Sequence, residues 1–466
     1  MLSEQAIKDY MEKPLKDYSS LKTMPTKVLV DELDKIGNIE FKTKPYKHQI
    51  ACTLLGLIEK DFLFFLSMGL GKTKVVLDIL GNLENKGKTL ILSPNVSSVA
   101  TWTEEIEKHS NLTSIELIGE TSYRWNLLKE SNNIDLFLLN YTGLLYMVTE
   151  VVNGEKKNKW EINRKLLKEF IMAFDNVVYD EIHLLKNYRS LSFQICRNIS
   201  YNMKYKFGLT GTPFNRDPIV LWPQFYLIDL GETLGKTLGL FRESFFNCKP
   251  GYFGGMEYKF KKELTDTLYK RICNKSIRYT EKETIDLPEK VETRIIIKPS
   301  EEMKEYMDKI LANEIEISEI KNTFIKLRQL CSGFINFTSD TTEEKITLEL
   351  KSIPKLETLV DLINSSPEED KIIVFLEHIK AGELVCNRLK KEKIDYERLY
   401  GGTKDKVDTK NRFINNKKCK VLVANIKSAG VSLNLQVANY VIFYELPLSS
   451  IDKEQALKRS HRTGQK

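Results

Sequence analysis

The sequence predicts an α/β protein: two parallel-sheet lobes joined by a mainly helical stretch. Three observations lead there: short apolar runs bounded by turn residues, helix-period segments between those runs, and repetition of the pattern in two separate halves of the chain. In the first half the runs are Phe62 to Leu66, Thr89 to Leu92, Ile134 to Leu139, Asn176 to Tyr179 and Tyr205 to Leu209. In the second they are Lys371 to Leu376, Tyr396 to Tyr400, Val421 to Ala424 and Tyr440 to Tyr444. The stretch from Phe214 to about Pro354 carries few strand signals and reads as helical, as in SEEMKEYMDKILANEIEISEIKNTFIKLRQL. The expected division is a helical segment at 1–40, a first lobe at 41–213, a helical inter-lobe region at 214–353 and a second lobe at 354–466.

Composition fits this class. At 466 residues, 42% hydrophobic and 29% charged, the chain is long enough for two to four domains with cores of their own. A net charge of +7, from 71 basic and 64 acidic residues, accommodates nucleic acid without requiring it. Seven scattered cysteines with no C-x-x-C pair argue against a zinc site or a disulfide framework and predict reduced thiols. MLSEQAIKDYMEK lacks the apolar core of a signal peptide, and Phe62 to Leu66 is too short to span a bilayer, so an intracellular, soluble protein is expected.

After the first apolar run comes SMGLGKT, Ser67 to Thr73, and then the helical TKVVLDIL. Glycines let backbone N–H groups converge on an anion at a helix N-terminus, so Met68, Gly69, Leu70 and Gly71 form a candidate phosphate cradle. Lys72 would meet the β and γ phosphates and the Thr73 hydroxyl would ligate Mg²⁺. Leu66 stands where the full phosphate-loop pattern has its first glycine, which leaves open a loop that merely contains G-K-T. In NVVYDEIHLLKN, Asp180 and Glu181 fall at the C-terminal end of a strand, the edge where α/β sheets place ligands. Asp180 is a candidate to hold Mg²⁺ through water, and Glu181 to orient and deprotonate the attacking water; the alternative is a helix N-cap. Thr210-Gly211-Thr212-Pro213 ends the next strand and would couple the nucleotide to a second site; alone, it is a turn.

This order of elements resembles the superfamily 2 helicases, and more closely their Swi/Snf-type branch of double-stranded-DNA translocases, from about Lys44 to Gln465. The segment Pro45 to Gln49 is similar to the family's adenine-reading motif and nominates Gln49. LILSPNVSSVATWTEEI resembles the motif whose residues lie near the DNA backbone, which nominates Asn95 and Trp102. Arg278 with LPEK, and KLRQLCSGF, select the Swi/Snf branch. KIIVFLEH and LYGGT followed by Arg412-Phe413 continue the series, then VLVANIKSAGVSLNLQVANYVIFYE and QALKRSHRTGQ. The resemblance implies two RecA-like lobes that bind ATP and Mg²⁺, with Gly430 and Gln455 near the nucleotide and Gly402, Thr403 and Ser428 near the DNA. Arg459 and Arg462, spaced i, i+3 on one helix face, become arginine-finger candidates opposite Lys72. The chain departs from the family in having Leu66-Ser67 where an acidic pair is usual, a shorter T-P-x-x-N segment, and a single arginine at 278. Relatives usually continue past the final G-Q with a strand and a helix, so either a truncated chain or a minimal variant is expected, and a longer reading frame would distinguish them.

Three functions follow from these motifs. The first is an ATP-driven motor on duplex DNA, the second a strand-separating helicase on DNA or RNA, and the third a slow ATP-gated binding switch. The presence of Lys72, Thr73, Asp180, Glu181, Arg459 and Arg462 together speaks against the third.

Overall fold

The inner strands of the two large parallel sheets are buried on both faces, which is why they appear in the sequence as unbroken apolar runs rather than alternating ones. A computed structural model describes residues 4–84, 86–152, 159–214, 217–250, 256–284, 292–312, 320–338, 345–403, 405–426 and 437–457. The chain divides into two units, Met1–Asp286 and Leu287–Lys466.

In the first unit the strands are β1 (Asp61–Leu66), β2 (Thr89–Ser93), β3 (Ser114–Glu116), β4 (Leu136–Asn140), β5 (Thr149–Val152), β6 (Lys159–Ile162), β7 (Asn176–Asp180), β8 (Tyr205–Leu209), β9 (Phe246–Pro250), β10 (Met256–Phe260) and β11 (Ser276–Tyr279). Seven of them form one sheet in the order β11-β1-β8-β7-β2-β4-β3, every pairing parallel. Leu63, Phe65, Leu90, Leu92 and Val177 face a core closed by the helices Tyr141–Val148, Arg164–Ile171, Leu191–Asn202 and Leu221–Asp229. Phe62, Phe64, Leu66, Ile91 and Val178 face a second core closed by Lys47–Glu59, Lys72–Gly81 and Val96–His109. The pairs β5–β6 and β9–β10 are antiparallel hairpins outside this sheet.

The five apolar runs of the first half all lie in the sheet. Two of its strands carry weaker signals: β3 has three residues, and β11, sequence SIRY, alternates buried Ile277 and Tyr279 with exposed Arg278 as an edge strand does. The stretch read as mainly helical holds the helices Leu221–Asp229, Leu238–Phe245, Thr265–Ile272, Glu301–Leu311 and Ile320–Cys331, and with them β9, β10, β11 and the hairpin strands of the second unit given below. Strand β11 is held at its start by Lys275, whose Nζ donates to Glu59 Oε2 at 2.8 Å and to Asp61 Oδ1 at 2.6 Å. Lys16 Nζ and the Tyr18 hydroxyl meet the other Glu59 oxygen, so the N-terminal segment is fastened to the same buried carboxylate. At its far end the Tyr279 carbonyl accepts from the Ser67 backbone N–H at 3.1 Å, which joins the edge strand to the loop after β1.

The second unit holds β12 (Phe334–Thr338), β13 (Lys345–Glu349), β14 (Ile372–Leu376), β15 (Tyr396–Leu399), β16 (Val421–Asn425) and β17 (Tyr440–Phe443). Its sheet is parallel, ordered β15-β16-β14-β17, and β12–β13 is an antiparallel hairpin. Ile372, Val374, Val421 and Val423 face one core, Ile373, Phe375, Leu422 and Ala424 the other. Glu445, 4% exposed, gathers the strand ends: it accepts from the backbone N–H groups of Glu377 and His378, at 2.6 and 2.8 Å, and from the Ser332 hydroxyl at 2.5 Å. His378 Nδ1 lies 2.8 Å away on the same carboxylate. Among the described residues no helix is long and apolar enough to cross a membrane.

Burial alone would raise the Glu445 carboxyl; the His378 and Ser332 contacts outweigh it and bring the group from its ordinary 4.5 down to about 2. Stability from this carboxylate is therefore full above pH 4.5 and is lost as pH falls toward 2. Glu445→Gln should cost on the order of 3 kcal/mol at neutral pH. In urea unfolding the gap between wild type and variant should narrow as pH drops through that window; a gap independent of pH would refute the assignment.

Candidate functional site

Because every strand of the first sheet runs the same way, the loops after β1, β7 and β8 emerge at one edge, and these three strands are consecutive in the sheet order β1-β8-β7. The loop after β1 turns through Gly69 (φ 87°) and Gly71 (φ 72°), left-handed conformations that glycine adopts without a Cβ clash. Gly71 caps the helix Lys72–Gly81, and a Cβ there would stand 2.3 Å from Gln49 Nε2. Lys72 and Thr73 open that helix, half-buried, where the unpaired N–H groups and the positive end of the dipole attract an anion.

Two neighbours brace the loop. Leu70 is buried, and its carbonyl accepts from Gln49 Nε2 at 3.2 Å and lies 2.9 Å from His48 Nε2. The other end of the Gln49 amide accepts from the Tyr46 backbone N–H at 2.9 Å. Gln49 is 3% exposed and spends both ends of its amide inside the protein, linking the segment Pro45 to Gln49 to the phosphate loop. From the other side comes the loop after β8: a Cβ on Gly211 would lie 3.3 Å from the Leu66 carbonyl and 3.6 Å from Lys72 Nζ.

Asp180 ends β7 and Glu181 follows it. Glu181 has φ 49°, unusual for a residue with a side chain, and this left-handed turn accompanies an approach of its Oε1 to within 3.9 Å of Lys72 Nζ. Lys72 also donates to the Leu66 carbonyl at 3.3 Å. The second Glu181 oxygen accepts from the Thr210 hydroxyl at 3.2 Å and lies 3.1 Å from His183 Nδ1, which is itself 2.9 Å from Thr210 Oγ1. Thr210, first residue of T-G-T-P, thus touches the acidic pair directly, while its Oγ1 accepts from the Thr212 N–H at 3.2 Å.

The two carboxylates are driven apart. Burial pushes Asp180 up, to about 6, and the adjacent Glu181 charge adds to the rise. Burial would raise Glu181 too, but the Lys72 charge and the His183 and Thr210 contacts prevail and hold it down, to about 2. Asp180 Oδ2 accepts from the indole N–H of Trp102 at 3.0 Å, and its backbone carbonyl accepts from the Tyr141 hydroxyl at 2.9 Å. With one carboxylate and the Thr73 hydroxyl, the donor set is all hard oxygen. It suits Mg²⁺, which keeps waters and takes its remaining ligands from phosphate. Among the described residues there is no group of three or more His, Cys, Asp or Glu of the kind that encloses a metal.

Of the residues nominated from the sequence, Gln49, Met68, Gly69, Leu70, Gly71, Lys72, Thr73, Asp180 and Glu181 belong to this one edge. Trp102 is 2% exposed, packed in the core beside Val99, Ile106 and Val178, and what it touches is Asp180. Asn95 N-caps the helix Val96–His109, its side chain accepting from the Ser98 N–H at 3.0 Å. In the second unit, Gly402 and Thr403 form a turn after β15 in which the Thr403 hydroxyl accepts from the Tyr400 N–H at 3.0 Å. Ser428, Gly430, Arg459 and Arg462 lie outside the described residues, as does the side chain of Gln455, whose backbone belongs to the helix Ser450–Leu457. His183 and Tyr141 were not singled out; His183 had a signal in standing two residues after Glu181, and Tyr141 had none.

A model of the SNF2-related domain matches residues 46–345, and one of the helicase conserved C-terminal domain matches residues 354–464. The chain belongs to the SNF2-related family, the Swi/Snf-type branch of superfamily 2. An uncharacterized ATP-dependent helicase of Mycoplasma genitalium is 26% identical over 425 residues, which are 85% of this chain and 36% of that one. The ATP-dependent helicase fft1 of Schizosaccharomyces pombe is 23% identical over 461 residues, 85% of this chain and 46% of that one. Among solved structures, the Sulfolobus solfataricus SWI2/SNF2 ATPase core in complex with dsDNA aligns with 91% of this chain and 86% of its own at 22% identity, with a TM-score of 0.42. The chain spans less than half the length of these two curated relatives.

Gly211→Val should crowd the Leu66 carbonyl and the Lys72 ammonium. A fluorescent ATP analogue should then bind about tenfold more weakly, roughly 1.4 kcal/mol, while the melting temperature stays within a few degrees of wild type. Unchanged affinity would show that the loop after β8 does not shape the phosphate site.

Proposed function

We propose that this chain is an ATP-driven translocase on duplex DNA. The observation that carries the reading is the meeting, at one edge of one sheet, of a lysine on a glycine-rich helix start, an Asp-Glu pair and the T-G-T-P loop. Each of these parts has a task in phosphoryl transfer, where positioning and electrostatic stabilisation supply most of the catalysis.

The nucleotide phosphates lie against the backbone N–H groups of Met68 to Thr73. Lys72 then turns from Glu181 toward the phosphates, which removes the charge that holds the Glu181 carboxyl so low. Glu181, freed of that partner and still held by Thr210 and His183, orients the attacking water and accepts its proton. Thr73 and Asp180 would hold Mg²⁺, which would supply charge neutralisation to the nucleotide phosphates. Arg459 and Arg462 are the arginine-finger candidates; such arginines contribute roughly 10³ to 10⁵ in rate where they act. Thr210, bonded to Glu181 and continuous with Gly211 beside Lys72, passes the state of the nucleotide into the loop after β8.

Contacts to DNA come from Asn95, Gly402, Thr403 and Ser428, whose backbone N–H groups and hydroxyls suit phosphate oxygens rather than bases; such contacts position a motor without reading sequence. A net charge of +7 supports the same partner.

ATPase rates measured with duplex DNA, single-stranded DNA and RNA test the reading. Duplex should stimulate most. Stimulation by single strands alone would replace the proposal with a strand-separating helicase, and no stimulation by any polymer would replace it with an ATP-gated switch. Lys72→Ala, Glu181→Gln and Arg462→Ala should each abolish turnover in a soluble, folded protein; turnover retained in any of them refutes the role of that residue.

A further inference from the structure

The buried indole of Trp102 meets the acidic pair where an apolar side chain would have filled the same space. Its ring belongs to the core cluster that also holds Val99, Ile106 and Val178, on the face of the sheet covered by the helix Val96–His109. Its N–H points out of that core and reaches Asp180 Oδ2 at 3.0 Å. An indole can donate and cannot accept, so this contact fixes one carboxylate oxygen without offering a ligand that competes for a metal. A buried N–H left unpaired would itself be costly, so the two groups hold each other in one arrangement.

Two further contacts make the arrangement stiff. The Tyr141 hydroxyl donates to the Asp180 carbonyl at 2.9 Å, anchoring the backbone from the opposite face of the sheet, and the Glu181 backbone N–H adds a second donor to the carboxylate. Packing denies the indole another position, since Trp102 is 2% exposed.

We propose that Trp102 is a positioning residue for the Mg²⁺·nucleotide: its indole N–H orients the Asp180 carboxylate so that this group presents its remaining lone pairs to the ion. The proposal rests on the reading of Asp180 as the Mg²⁺ ligand. Partners of this kind, once removed, typically lower metal affinity 10- to 100-fold. The same reasoning gives Trp102 its place inside the lobe, as an internal support of the metal ligand.

The test uses the full chain and mant-ADP, titrated with Mg²⁺ from an EDTA-buffered start. Two variants remove the N–H: Trp102→Phe, and replacement of Trp102 by β-(3-benzothienyl)alanine, which keeps the fused-ring shape. Both should raise the Mg²⁺ concentration for half-maximal binding by about 10- to 100-fold, leaving metal-free mant-ADP affinity as in wild type. In an Asp180→Ala background the same replacements should add no further loss, since the partner is already gone. An unchanged Mg²⁺ midpoint in the benzothienyl variant overturns the proposal, and so does an equal weakening with and without Mg²⁺, the mark of a packing role. If wild type itself binds mant-ADP without Mg²⁺ dependence, the assignment of Asp180 fails, and the role of Trp102 with it.

Discussion

A parallel sheet covered on both faces leaves its loops few places to go. Helices occupy the two faces, so whatever is exposed gathers at the strand ends, and a uniform strand direction makes one of those edges the home of every strand-to-helix turn. The first unit depends on this constraint. Strands β1, β8 and β7 are neighbours in space though far apart in sequence, and their turns carry Lys72, Thr210 and the Asp180-Glu181 pair. Slipping β8 out from between the other two would separate Thr210 from Glu181 even with every residue kept.

Within that edge the charges are arranged to oppose one another. Lys72 and Glu181, 3.9 Å apart and each largely shielded from solvent, partly neutralise one another. Asp180, next along the chain, is held by the Trp102 indole N–H, a donor that carries no charge. Two adjacent carboxyls therefore differ in proton affinity because their neighbours differ, and the neighbours come from four separate loops or helices.

This division explains how much could be read from the sequence. The apolar runs of the inner strands needed no long-range knowledge, because burial on both faces writes itself into consecutive residues. The phosphate loop was equally legible, since G-L-G-K-T carries its backbone geometry in its glycines. Less visible were features that depend on a partner elsewhere in the chain. SIRY is too short and too polar to stand out as a strand until Lys275 is seen pinned between Glu59 and Asp61. Trp102, which the family pattern sends toward DNA, lies in the core because the helix Val96–His109 turns that face to the sheet; its bond to Asp180 spans a sequence separation that no local pattern records. Gln49 matched a motif by residue type, yet what its amide touches, Tyr46 and Leu70, depends on how the helix Lys47–Glu59 meets the phosphate loop.

The position of β11 bears on how the first unit is made. Strand β1 has β8 on one side and β11 on the other, and both are encoded well after it. As the chain leaves the ribosome, the strand that carries the phosphate loop has open hydrogen-bonding edges until those partners emerge, the last of them only at Tyr279. An apolar, unpaired strand is a template for wrong pairing. The nascent protein is thus most vulnerable to aggregation at Phe62 to Leu66, the segment on which its phosphate site is later built.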